Sequence, residues 1–296
     1  MEQFIQITVL ALAVGALYAA VAAGLTLEFG VSRIINFAHG EFVMLGAYIT
    51  YFIARGHGSG RFIAGLLVAS VAMAALSSIA FRVILARVLG GAHHSQLLAT
   101  LGLSITLQGV ATLLWSPNVR TLADTRILPD WHTGGIVWPG NSVFLFAASL
   151  LMYGALVVFM KSTRAGLHMR FAADNPELAN LSGVEVARMS ELAFVIGGAM
   201  AGAAGGLVAL TLYVSPLVGF ELAVFAFAIV ALGGLGRIGG ALFGAMTLAL
   251  AIGYVSNYVP SGASLGNGVA FFLLVVALIV RPDGLFVRAQ NAGAGT

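Results

Sequence analysis

The sequence predicts an all-α polytopic membrane protein: a single transmembrane domain over residues 1–296 with about eight to nine membrane-spanning helices. Three observations predict it. Hydrophobic residues make up 60% of the chain and charged residues only 8%, where a soluble domain carries about 25% charged residues. Mean hydropathy is +1.01 over the whole length. The 38 glycines match the greater use of Gly in membrane helices. A net charge of +3 is too small to suggest nucleic acid, and the lack of cysteine excludes a disulfide framework or a thiolate metal site.

A span needs about 20 mostly apolar residues. That rule places spans near 4–27, 37–54, 62–83, 96–115, 143–160, 192–212, 219–236, 239–259 and 266–281. The first is too long for a signal-peptide core. It carries Glu2 where such a signal needs positive charge, so it reads as a retained helix. Residues 238–280 hold no Asp, Glu, Lys, Arg or His, and "PSGASLGNG" (260–268) supplies a turn between two helices. Eight spans with one re-entrant or broken element also satisfy the pattern, the weakest segments being the second span and the pair around Gly198 to Gly236.

Basic residues set the orientation. With the N-terminus outside and nine spans, Arg33, Arg82, Arg87, Lys161, Arg164, Arg170, Arg188, Arg237, Arg281 and Arg288 fall inside. Only Arg55, Arg61, Arg120 and Arg126 fall outside, so the C-terminus is expected in the cytoplasm. The loop 116–142 is then external, with Trp115, Trp131 and Trp138 as interfacial aromatics. The largest internal connection is 161–191, where Lys161, Arg164, Arg170 and Arg188 balance Asp174, Glu177, Glu185 and Glu191. Such a segment is either a surface for another protein or an amphipathic helix at the interface.

The second span opens unusually: "RIINFAHGEFVMLGAY" (33–48) crowds Arg33, Asn36, His39 and Glu41. In one reading Asn36 caps the helix at the inner face, and His39 and Glu41 fill its first turn, where Glu complements the dipole. In the other the helix is broken around Gly40, and Asn36, His39 and Glu41 face a cavity on a translocation path or gate. Gly198, Gly202, Gly206 and Gly236, Gly240, Gly244 recur at a spacing of four, which lets helix backbones approach closely.

Enzyme chemistry is not indicated. No carboxylates pair in the apolar core, there is no H-E-x-x-H, and His39 and Glu41, two apart, leave a helix on different faces. His93 and His94 diverge likewise, and His57, His132 and His168 are scattered. No metal site is expected. The single lysine, Lys161, follows Met160 and not Gly, so no P-loop is present and any ATP hydrolysis must come from another subunit. Acidic residues lie near span ends, Glu28, Glu41 and Glu221 among them, which weakens an ion-coupled carrier or channel as the alternative.

In "PELANLSG" (176–183), Glu177, Ala179 and Gly183 form E-x-A-x-x-x-G. Pro176 suits a first helical residue, Asn175 or Asp174 a cap, and Gly183 a stop. The stretch "RAGLHMRFAADNPELANLSGVEVARMSELAFVIGGAMAGAAGGL" resembles the cytoplasmic coupling segment of ABC importer permeases, in particular the branched-chain amino acid permeases of the LivH type (the LivH/LivM permease family). "GLTLEFGVSRIINFAHGEFVMLGAY" (24–48), "AIVALGGLGRIGGALFGA" (228–245) and "RPDGLF" (281–286) resemble the same family in order. The resemblance implies one of two permease subunits in the cytoplasmic (inner) membrane of a bacterium. Its implied partners are a related second permease, two cytoplasmic ATPases carrying the ATP and Mg, and an extracytoplasmic solute-binding protein. It implies no cofactor in this chain, and it places Glu177, Leu178, Ala179 and Gly183 in the loop that docks an ATPase. Leu178 stands where the family's motif has Ala, and Arg237 and Gly239 where it often has Ser and Pro. The implied solute is a branched-chain amino acid or a related small polar molecule.

Overall fold

The computed structural model describes residues 2–280 apart from 57, 90, 123–124, 134–135 and 261. His57, Arg281, Arg288 and the 281–286 stretch lie outside the described residues. Each predicted apolar segment is helical over most of its described length. In chain order these are α1 (Glu2–Ser32), α2 (His39–Ala54) and α3 (Ser59–Ala80), which continues through a wide turn (Phe81–Leu85) into α4 (Ala86–Val88). Then come α5 (His93–Trp115), α6 (Gly140–Ser162), α7 (Arg164–Asp174), α8 (Pro176–Leu181), α9 (Val186–Thr211), α10 (Val218–Gly233), α11 (Ile238–Tyr258) and α12 (Gly266–Val280). Among the described residues, six helical stretches are long and apolar enough to cross a membrane, the one at Ser59–Val88 included. The connection between α5 and α6 adds something the sequence did not predict, a hairpin of β1 (Trp131–Thr133) and β2 (Ile136–Trp138) pairing Trp131 with Trp138.

Burial separates inner from outer helices. From Ala16 to Glu28, α1 is buried on all sides, and α9 is nearly so from Gly197 to Leu210. A helix apolar all round belongs in a protein interior or a bilayer. The surrounding helices instead leave large apolar side chains uncovered, Val71, Leu113, Leu151 and Ile279 among them, as contact with lipid requires.

Two triplets share one plan. In α1–α2–α3 and in α9–α10–α11 a long helix is followed by a six-residue connection (33–38 and 212–217), a short helix of 16 residues, and another long helix. The partners also exchange: α1 packs on α11, α9 on α3, and the two short helices on each other. Since α1 and α9 run in opposite directions, this is an inverted repeat. At 1.5 Å per residue, a 16-residue helix is about 24 Å long, short of a hydrocarbon core of about 30 Å.

The bundle has two ends. At one, the Gln6 amide binds both the N–H and the C=O of Val137, at 3.0 and 2.8 Å, and Arg120 pairs with Val214. The Arg120 guanidinium lies 5.2 Å from the Phe52 ring there. The other end gathers Arg33, the α6–α9 connection and the turn before α11.

The glycine spacing has its explanation inside the chain. Gly198 and Gly202 lie on the backbone of α3, Gly206 against Thr50 of α2, and Gly240 and Gly244 on α10. Gly236 departs from the expectation of a second helical stripe. It lies in the turn between α10 and α11 at φ +78°, with its backbone against Gly30.

Candidate functional site

The polar start of the second span folds back along α1. His39 Nε2 donates to the carbonyl of Val21, at 3.1 Å. Val21 lies eleven residues before Ser32, so α2 begins about 16 Å from the end of α1, partway along it. The chain returns through 33–38 to that depth. Asn36, His39 and Glu41 are therefore core residues, each 1% exposed or less, and do not sit at an interface.

Glu28 joins them. Its Oε2 accepts from the Asn36 amide at 2.7 Å, and its Oε1 lies 2.9 Å from His39 Nδ1. Because the Val21 carbonyl can only accept, His39 Nε2 carries a proton. Asn36 is not the helix cap expected of it. Its amide is committed to Glu28 and its carbonyl to the N–H of Ala38, at 3.1 Å, while Ala38 opens α2 with no side-chain cap. Nor is the helix broken at Gly40: α2 runs unbroken from His39, and the interruption is 33–38.

Glu41 points the other way, as the spacing of two requires. Its Oε1 accepts from Ser104 of α5 at 3.2 Å, and its buried Oε2 has no hydrogen-bond partner among the described residues. That oxygen faces Gly219, in the first turn of α10. The two short helices thus meet start to start: a Cβ on Gly40 would overlap the Gly219 carbonyl, and one on Gly219 would overlap Glu41. Both helix starts carry partial positive charge, so the carboxylate sits where two dipoles complement it. The α10 start has its own acid, Glu221, which accepts from the Tyr213 hydroxyl. Gly40→Val is expected to cost about 3 kcal/mol or more by overpacking, seen as a lowered melting temperature in detergent. Gly102→Ala, where nothing among the described residues lies within 4 Å, should leave it unchanged.

The second candidate element is the α7–α8 turn. Thr163 caps α7, its hydroxyl accepting from the Gly166 N–H at 3.0 Å. Asn175 caps α8, accepting from the Leu178 N–H at 2.9 Å, with Pro176 at the first helical position. The N–H of Val184 reaches the carbonyl of Ala179 and that of Gly183 the carbonyl of Asn180, the paired bonds of a Schellman stop. Gly183 takes φ +85° to make them. Ala179 is buried, whereas Glu177, Leu178 and Leu181 stand exposed, Leu181 at 81%. A six-residue helix capped at both ends and showing leucines to solvent is a rigid projecting surface.

Over residues 7–278 the sequence matches the family described as "Branched-chain amino acid transport system / permease component". The chain belongs to this permease family. It is 30% identical to the high-affinity branched-chain amino acid transport system permease protein BraD of Pseudomonas aeruginosa, across 97% of both chains. To the permease protein LivH of Salmonella typhimurium it is 31% identical, across 93% of both. To the probable branched-chain amino acid transport permease protein LivH of Methanocaldococcus jannaschii it is 24% identical, across 89% of this chain. The permease is accordingly a multi-pass membrane protein and a transport component.

Sequence reasoning placed Asn36, His39 and Glu41 together but missed Glu28, Ser104 and Gly219 as their partners. One signal pointed to Gly219. Both short helices start with a glycine and place a glutamate in the first turn, Gly40 with Glu41 and Gly219 with Glu221.

Proposed function

We propose that the permease is one of two membrane subunits of an ATP-driven ABC importer that moves branched-chain amino acids, or a related small polar solute, across the cytoplasmic membrane of a bacterium. The observation that carries this reading is the family match across residues 7–278 together with the exposed, doubly capped α8. Two ATPase subunits holding ATP and Mg would grip α8 through Glu177, Leu178, Ala179 and the Gly183 turn. A second permease and an extracytoplasmic binding protein complete the assembly. ATP would close the ATPase pair, α8 would move with it, and the bundle would switch between two packings. The meeting of α2 and α10 around Asn36, His39 and Glu41 would be the gate: two half-helix starts at mid-depth are the arrangement transporters use at binding sites. A stand-alone carrier or channel has less support, because it would have no use for a docking helix.

The proposed orientation puts the N-terminus outside, the C-terminus inside, and nine helices across or partly across the bilayer. It is supported by the basic residues Arg33, Lys161, Arg164 and Arg170 near the α7–α8 end. The chain has no cysteine, so single cysteines report sidedness cleanly. A membrane-impermeant maleimide should label Gly60→Cys in intact cells and Leu181→Cys only after lysis. The reverse pattern would invert the topology.

The assembly is tested by purifying the tagged chain from its native membrane in mild detergent and identifying what stays bound by mass spectrometry. A second permease and P-loop ATPases are expected. Recovery of the chain alone, with solute movement in liposomes that needs no ATP, would overturn the importer in favour of a carrier.

A further inference from the structure

We propose that Arg33 is the positioning residue through which the α7–α8 segment acts on the buried start of α2; the inference rests on the importer reading above. The Arg33 side chain is exposed, yet its guanidinium donates to the carbonyl of Ala173 at 2.8 Å. Ala173 is in the last turn of α7, where backbone carbonyls lack helical partners, and two residues later Asn175 caps α8. The guanidinium therefore holds the α7 end next to the proposed docking helix.

The other side of Arg33 leads directly into the buried network. Arg33 takes φ +60°, and among the described residues only Ser116 shares that left-handed geometry without being glycine. A residue with a Cβ avoids this conformation unless its surroundings hold it there. Here the surroundings do. The Ile34 N–H donates to Ser32 Oγ at 3.1 Å, and Ile34 is fully buried against Phe81, Leu85 and Phe194. Thr100 donates to the Ile35 carbonyl at 3.0 Å. Asn36 is bound to Glu28, Ala38 to Asn36, and His39 to Glu28 and Val21. Residues 33–39 are thus a strap anchored at nearly every position, with little slack to absorb a displacement of α7. A shift of α7–α8 passes through Arg33 to the strap, and through the strap to the helix start that meets α10.

Two further side-chain hydrogen bonds near this end take another route. Ser78 and Arg82 both hold Glu191 at the start of α9, at 2.9 and 2.6 Å. Those contacts tie the segment to the α3 side of the bundle and bypass 33–39.

The test compares Arg33→Gly with the unaltered permease in proteoliposomes containing both permeases, the ATPases and the binding protein, reading solute taken up per ATP hydrolysed. Glycine suits φ +60°, so this variant removes the guanidinium without straining the turn. The ratio is expected to fall about tenfold while ATP hydrolysis stays within about twofold. Arg33→Lys, which keeps a charged donor, should recover part of the ratio. An unchanged ratio in Arg33→Gly overturns the proposal, as does a parallel loss of hydrolysis and uptake, which marks a purely structural residue. If Arg33→Gly does not assemble, Arg33→Gln is judged by the same ratio. Failure of the unaltered assembly to couple uptake to ATP at all would instead sink the importer reading.

Discussion

Gly183→Trp is expected to abolish coupled uptake while leaving the permease in the membrane. Gly183 holds φ +85° in the stop after α8, and an L-residue with a Cβ pays about 1–2 kcal/mol there. Among the described residues nothing lies within 4 Å of a Cβ at this site, so the bundle core has no reason to respond. The turn does respond. The bonds from Val184 to Ala179 and from Gly183 to Asn180 require the left-handed residue. Without them α8 frays, and the indole occupies the surface an ATPase would grip. Uptake should fall at least about tenfold, the equivalent of about 1.4 kcal/mol, with membrane content unchanged by immunoblot and ATP hydrolysis no longer tracking solute. Gly183→Ala carries the strain without the bulk and should fall between. Normal uptake in Gly183→Trp would remove α8 from the mechanism.

Glu28→Ala is expected to be the most destabilising single change in the polar network, at about 3–5 kcal/mol. It leaves the Asn36 amide and His39 Nδ1 buried without their partner, and buried polar groups so stranded cost about 1–3 kcal/mol each. Glu28→Gln is the informative contrast. Its carbonyl can accept from Asn36 and its amide can donate to His39 Nδ1 while His39 Nε2–H stays on the Val21 carbonyl. It should therefore fold within about 1 kcal/mol of the unaltered permease. The comparison is read from melting temperatures of the detergent-solubilised protein. Equal stability of Glu28→Ala and the parent would show that the network does not hold the start of α2.

What the sequence disclosed follows from the range of the forces involved. Apolar length is a local property, so each apolar helix could be placed, and α8 was legible because Asn175, Pro176 and Gly183 act within a few residues of themselves. The depth of α2 was not local. It depends on His39 reaching Val21 and on Thr100 and Ser104 arriving from α5, more than sixty residues away in the chain. Asn36 looks like a cap by residue type, but Glu28 anchors its amide and its carbonyl accepts from the N–H of Ala38, before the first residue of α2. Glu28 itself looked like a span end because α1 was expected to stop near residue 27, whereas it continues to Ser32. The inverted repeat was hidden for a similar reason: α1–α3 and α9–α11 share geometry and a glycine-then-glutamate start, with little else in common by sequence.

The most direct measurement is uptake of a labelled branched-chain amino acid into proteoliposomes carrying the complete assembly, with the binding protein outside and ATP enclosed or omitted. The account predicts accumulation only with ATP inside, and none when the permease carries Gly183→Trp. Uptake that proceeds without ATP, or in the absence of the ATPases, would contradict it.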